Sequence, residues 1–161
     1  MDKPLTQHER RRRKLPHWEE PGATYFVTVT LVRAAEVSLI RPDIAKLVVE
    51  TLTFFDGQRY DLYDYTVMPD HIHAILKPTE SAGHTERLHR IMHGIKGWLA
   101  HEINRVVGRS GQLWLHETYD RIIRDQREYE QTAEYILHNP RMAGLVDDPT
   151  TWPWWGRGSG Q

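Results

Sequence analysis

Two pairs of residues in this 161-residue chain have types and spacings that suit chemistry. His71 and His73 lie in a segment, His71 to Lys77, that alternates as a strand does. Residues two apart on a strand share a face with Cα atoms roughly 7 Å apart, so both imidazoles can converge on one ion while Ile72, Ala74 and Leu76 turn to the core. Two partly exposed strand histidines have the same spacing, and ten histidines make a chance His-x-His easy to obtain. Tyr135 and Asn139 are four apart and would stack on one face of a helix. There an amide oxygen can complete a metal shell, with a phenol one turn away. A tyrosine in an amphipathic helix is usually a core residue, and an Asn before Pro is usually a helix stop. Spacing alone leaves both open. With no cysteine, thiolate sites, disulfides and cysteine nucleophiles are excluded, so any metal must be held by His, Asp, Glu, Asn or Gln.

These residues need a scaffold. The run Thr24 to Val32 is rich in β-branched and aromatic residues and predicts a strand with Tyr25, Val27, Val29 and Leu31 on one face. Pro42 opens a helix carried by Ile44, Leu47, Val48 and Leu52 and ended by Asp56-Gly57. Tyr60 to Met68 and His71 to Lys77 read as two strands joined at Pro69-Asp70. A long helix is predicted from Thr85 as N-cap through Leu88, Ile91, Met92, Ile95, Leu99, Ile103 and Val106 to Gly108. Gln112 to Leu115 and Tyr119 to Arg124 read as short extended pieces. Asp125 and Glu128 form a capping box for a helix that Pro140 should stop. The order implies an α+β sandwich, an antiparallel sheet with helices packed on one face. A parallel doubly wound fold fits poorly, because the middle strands are joined too tightly for a crossover.

Length and composition (39% apolar, 27% charged) match one globular domain with a core that needs no staple. The organisation reads as a basic arm over residues 1–20, a body over 21–147 and a Trp-rich tail over 148–161. The net charge of −1 hides segregation: residues 1–18 hold six basic and two acidic groups, and residues 87–127 hold eight and four. Local Lys/Arg density of this kind suits phosphate binding, although a solvated arm at Arg10, Arg11, Arg12, Arg13 and Lys14 has the same composition. No apolar run nears the roughly 20 residues that span a bilayer, and the polar start has no apolar stretch behind its charges. A cytoplasmic protein without a membrane partner is expected.

The blocks Val67-Met68-Pro69-Asp70-His71-Ile72-His73-Ala74-Ile75-Leu76, Ile95-Lys96-Gly97, Gly111-Gln112-Leu113-Trp114, Tyr119-Asp120-Arg121-Ile122-Ile123-Arg124 and Tyr135-Ile136-Leu137-His138-Asn139-Pro140-Arg141-Met142-Ala143-Gly144-Leu145-Val146 stand in order along the chain. Together they resemble the REP-associated tyrosine transposases, single-tyrosine HUH transposases of bacteria, from about Tyr25 to Val146. The resemblance implies a ferredoxin-like α+β sandwich, the HUH endonuclease fold. It implies that His71 and His73 bind a divalent metal, Mg²⁺ or Mn²⁺, that Tyr135 is the nucleophile, and that Asn139 is a third, polar ligand. Asp70 stands where the family often has Asn.

The implied activity is a metal-dependent single-stranded DNA endonuclease and strand transferase, a transposase that forms a 5′-phosphotyrosine on hairpin-forming repeat DNA. The alternatives are a domesticated repeat-DNA-binding protein that does not cut, and a hydrolase of small phosphoesters. For DNA contact the candidates are Arg10 to Lys14, Arg87, Arg90, Lys96, Arg121 and Arg124, with Trp98 and Trp114 stacking on unpaired bases where exposed. Tyr119 is the second candidate nucleophile, and the protein is expected to act as a monomer or a homodimer.

Overall fold

The computed structural model describes residues 19–81 and 83–160. Arg10, Arg11, Arg12, Arg13 and Lys14 lie outside the described residues. The β-branched run folds as β1 (Thr24–Thr30), followed by α1 (Pro42–Phe54), which has Pro42 in its first turn. Next come β2 (Tyr60–Val67) and β3 (His71–Pro78), a small hairpin of β4 (Glu80–Ser81) and β5 (His84–Thr85), and α2 (Leu88–Val107). The chain then forms β6 (Tyr119–Ile123), α3 (Gln126–Met142) and β7 (Trp155–Arg157). The main sheet is antiparallel throughout, in the order β6-β1-β3-β2-β7. The α+β class and the ferredoxin-like strand order are therefore present, with β7 added at the β2 edge.

The layers differ from the expected single helical face. Tyr25, Val27 and Val29 of β1 pack with Ile72, Ala74 and Leu76 of β3 against Ile44 and Val48 of α1 and Ile91, Ile95 and Leu99 of α2. On the opposite face Phe26, Ile75 and Ile123 pack against Ile136 of α3. Two helices thus cover one face and the third covers the other. The reason is the period of β3: with Ile72, Ala74 and Leu76 committed to α1 and α2, His71, His73 and Ile75 must point the other way, and the apolar part of that face needs its own cover.

Three local expectations also change. Thr85 is not an N-cap, because it pairs with Glu80 in the small hairpin. The helix begins after Arg87 with no side-chain cap, and Glu19 accepts the His89 backbone N–H at 2.9 Å. Val106 is exposed and takes no part in the core. Pro140 does not stop α3 and sits buried inside its last turn. Proline removes only its own N–H from the ladder, and the end is closed by Ala143 N–H to the Asn139 carbonyl at 3.1 Å and Leu145 N–H to the Pro140 carbonyl at 2.9 Å.

The Trp-rich tail extends the sheet. Trp155 to Arg157 pair with β2, and Gly158 and Gly160 donate to the Tyr63 and Leu62 carbonyls at 2.7 and 2.8 Å. The alternating glycines make this close approach feasible: a Cβ at Gly158 would come within 2.5 Å of the Leu62 carbonyl oxygen, and one at Gly160 within 2.7 Å of the Tyr63 ring. Trp152 is buried and donates its ring N–H to the Val67 carbonyl at 3.1 Å. Among the described residues no helix is long and apolar enough to cross a membrane.

Candidate metal and tyrosine site

Cross-strand register builds the floor of the site. Directly opposed residues on an antiparallel sheet point to the same side. Tyr119 of β6 opposes Thr28, Thr28 opposes His73, His73 opposes Thr66, and Thr66 opposes Trp155. One row therefore crosses the whole sheet on the α3 side, with His73 at its centre. The ring centroids of His71 and His73 are 4.5 Å apart. From α3, the Tyr135 ring lies 5.4 Å from that of His73. Phe26 wedges beside both, 5.2 Å from His73 and 6.1 Å from Tyr135. Three of the four residues picked out by spacing thus meet, and Tyr135 remains 45% exposed. Tyr119 sits two strands from His73, roughly 10 Å away at ordinary strand spacing.

Hydrogen bonds set what each group can do. The Asp70 carboxylate lies 2.7 Å from His71 Nδ1. A carboxylate only accepts, so Nδ1 carries the proton and, in the neutral ring, Nε2 presents its lone pair; carboxylates hold metal-binding imidazoles in this way. His73 Nδ1 bonds the Thr28 hydroxyl at 2.8 Å. Burial above all, with His71 adding to it and Asp70 opposing, pulls the His73 pKa down to about 3. His73 is therefore a neutral imidazole in ordinary buffers, the form that ligates metal.

Four buried side-chain polar atoms among the described residues have no hydrogen-bond partner: His73 Nε2, Asn139 Oδ1, Thr66 Oγ1 and Trp155 Nε1. Such atoms are costly unless an ion or water completes them. All four belong to the row or to the helix above it, and two belong to expected metal ligands. Two imidazoles and an amide oxygen make a mixed donor set: the imidazoles suit ions such as Ni²⁺ and Zn²⁺, and the amide oxygen suits Mg²⁺ and Mn²⁺. Among the described residues, no three His, Asp or Glu side chains gather as a metal cluster. The fit rests on the mixed set.

The basic candidates separate. Arg87 and Arg90 are exposed at the start of α2. Arg124 is exposed and stands 3.9 Å from Glu20. Arg121 lies on the α3 side, its guanidinium 5.4 Å from the Phe26 ring centre and donating to Thr132 at 2.8 Å. Lys96 is committed elsewhere: its ammonium donates to the Leu115 and His116 carbonyls at 2.9 and 3.2 Å and lies 3.3 Å from the Thr118 hydroxyl. Burial lowers its pKa. Trp114 is buried and donates to the Lys96 carbonyl, so it offers no stacking face, whereas Trp98 is 53% exposed. A cleft of about 630 Å³ between α2 and residues 111–118, lined in part by His89, His93 and His116, opens on the opposite face of the sheet from Tyr135. The residues that reading by type missed are Thr28, Phe26 and Asp70. Asp70 was visible as the neighbour of His71, but Thr28 and Phe26 needed the strand register.

No family model matches the chain. A protein of Haemophilus influenzae described as a REP-associated tyrosine transposase is 26% identical over 94 residues. That match covers 55% of this chain and 53% of the relative, so the chain matches about half of its length. Among solved structures, a REP-associated tyrosine transposase bound to a REP hairpin superposes with a TM-score of 0.73 at 21% identity, covering 89% of this chain and 82% of the other. A transposase candidate from Deinococcus radiodurans superposes with a TM-score of 0.50 at 17% identity, covering 78% and 95%. In sequence over part of its length, and in fold over most of it, the chain resembles the REP-associated tyrosine transposases.

Proposed function

We propose that the chain is a metal-dependent endonuclease and strand transferase of single-stranded DNA, acting through a 5′-phosphotyrosine at Tyr135 on hairpin-forming repeat DNA in the cytoplasm. The observation that carries this reading is the approach of the half-exposed Tyr135 ring to 5.4 Å from the buried, neutral His73, itself paired with His71. His71, His73 and Asn139 would hold the ion. When bound, Mg²⁺ or Mn²⁺ would polarise the scissile phosphate and offset charge on its nonbridging oxygens.

The chain's own residues do the rest. The Tyr135 oxygen attacks phosphorus in line, the bond to the DNA 3′-oxygen breaks, the phenolic proton passes to solvent, and the departing 3′-oxygen takes one up. Because the phosphodiester count is unchanged, a 3′-hydroxyl can reverse the step and join strands without ATP. Asp70 and Thr28 hold the imidazoles in orientation, and Phe26 packs against both the His73 and the Tyr135 rings. Arg121, Arg124, Arg87 and Arg90 follow the phosphate backbone, together with the arm from Arg10 to Lys14. His71, His73 and Tyr135 meet within one chain, which supports a monomer as the acting form. The structural relative bound to a REP hairpin supports the choice of substrate.

The test is incubation with a hairpin oligonucleotide bearing single-stranded flanks and Mn²⁺, followed by denaturing electrophoresis. The wild-type chain is expected to form a covalent protein–DNA adduct, and Tyr135→Phe none, with binding retained. Tight hairpin binding with no adduct under any divalent ion would replace this reading with the non-cleaving binder.

A further inference from the structure

Asp64 is 1% exposed and plays no part in the chemistry above. Its position comes from an irregularity in β2. The register against β3 shifts between Leu62 and Tyr65, and both of those residues face the α1–α2 core. In a strand of strict period two, Asp64 would point with Leu62 into that core. The extra residue instead leaves Tyr63 and Asp64 together on the α3 side, and bulges of this kind re-aim side chains beside functional sites.

Both meet Tyr129 of α3. The Tyr129 hydroxyl donates to Asp64 Oδ2 at 2.7 Å, and its ring packs edge-on against Tyr63 with centroids 5.6 Å apart. Burial, then the bond to Asp64, raises the Tyr129 pKa, so the phenol stays a donor. Opposite Asp64 on β7, Arg157 donates from Nε to Oδ1 at 3.1 Å. Asp64 is buried but the Arg157 side chain is 54% exposed, and a pair open to solvent on one side adds little net stability. What it supplies is a fixed geometry between β2, β7 and α3. Tyr129 and Tyr135 are six residues apart, about 9 Å along one rigid helix, so the bond that fixes the first fixes the second.

We infer that Asp64 is a positioning residue: through Tyr129 it sets the rotation and height of α3, and with them Tyr135 and Asn139, over His71 and His73, while Arg157 of the closing strand serves as its counter-charge. The inference rests on the function proposed above. A misplacement of about 1 Å at a reacting group costs about 100-fold in rate. Loss of this anchor should therefore act on the chemical step and spare DNA affinity.

The experiment is single-turnover adduct formation at saturating hairpin oligonucleotide with Mn²⁺, alongside the DNA dissociation constant. Tyr129→Phe, which keeps the ring and is the safer variant for folding, is expected to form adduct about tenfold more slowly with affinity within about twofold of wild type. Arg157→Lys, which keeps a cation beside Asp64, should stay within about threefold of the wild-type rate, and Arg157→Met should not. A wild-type rate in Tyr129→Phe, or a loss of rate matched by an equal loss of affinity, overturns the inference. Should the wild-type chain form no adduct, the proposed function fails while the anchor is still read by hydrogen exchange in the DNA-free protein. There Tyr129→Phe should exchange faster over residues 133–139 with α1 unchanged, and unaltered protection of α3 overturns it.

Discussion

At the scale of single residues, the site is built from pairs. His71 leans on Asp70 and His73 on Thr28; the carboxylate leaves Nε2 of His71 free for an ion, and the hydroxyl, which can accept from Nδ1, allows the same at His73. Outer partners of this kind commonly change metal affinity by about 10–100-fold. Asp70→Ala should therefore weaken Mn²⁺ binding by a factor in that range, measured by calorimetry or by the electron paramagnetic resonance of free Mn²⁺, while leaving the thermal midpoint nearly unmoved. Unchanged affinity would remove Asp70 from the site. Local spacing at the strand and helix periods made the histidines and Tyr135–Asn139 candidates, and the ordered blocks of the family resemblance, not the spacing, singled them out. Thr28 could not be found in this way: forty-five residues separate it from His73, and only the pairing of β1 with β3 brings them together.

At the scale of elements, local signals held where nothing competed with them. The Asp125 side chain accepts the Glu128 N–H at 2.8 Å, and Glu128 reaches back to the Arg124 N–H at 2.8 Å, so α3 starts where its capping pair predicts. Thr85 carried a similar signal and lost to the β4–β5 hairpin, a tertiary preference that composition does not encode. The β2 bulge was equally hidden, since Tyr-Asp-Leu-Tyr-Asp-Tyr alternates with or without an extra residue. Lys96 belongs at this scale too. It looked like a phosphate contact, yet its ammonium ties residues 115–118 to α2 and thereby holds the approach to β6. Lys96→Met is expected to cost about 0.5–1.5 kcal/mol in urea unfolding, because water can take over the exposed Leu115 and His116 carbonyls. The salt dependence of DNA affinity should not change, whereas loss of a real phosphate contact would lower the slope by about 0.7 on single strands. A lowered slope would return Lys96 to the DNA surface.

At the scale of the whole molecule, the chain closes on itself around the β2 edge. Trp155 packs on the α3 side, Trp154 on the α1–α2 side, and the glycine-alternating end lies flush along Tyr63 and Leu62. The sequence shows only a Trp-rich tail there, because a segment with glycine at alternate positions acquires its meaning from the neighbour it must approach. Gly158→Val would set a branched side chain against the Leu62 carbonyl, and overpacking of this kind costs about 1–3 kcal/mol. The expected result is a lower thermal midpoint together with slower adduct formation, since Arg157 would no longer seat against Asp64. A variant as stable and as fast as wild type would show that the closing strand does not brace α3.

The central claim concerns one phenol over a pair of imidazoles, and peptide mapping by mass spectrometry tests it most directly. Trapped protein–DNA adduct, digested with protease and nuclease, should yield a single modified peptide whose added 5′-phosphonucleotide is localised to Tyr135. A modification on Tyr119 or any other residue, or an unmodified Tyr135 in a reaction that cuts the DNA, would contradict it.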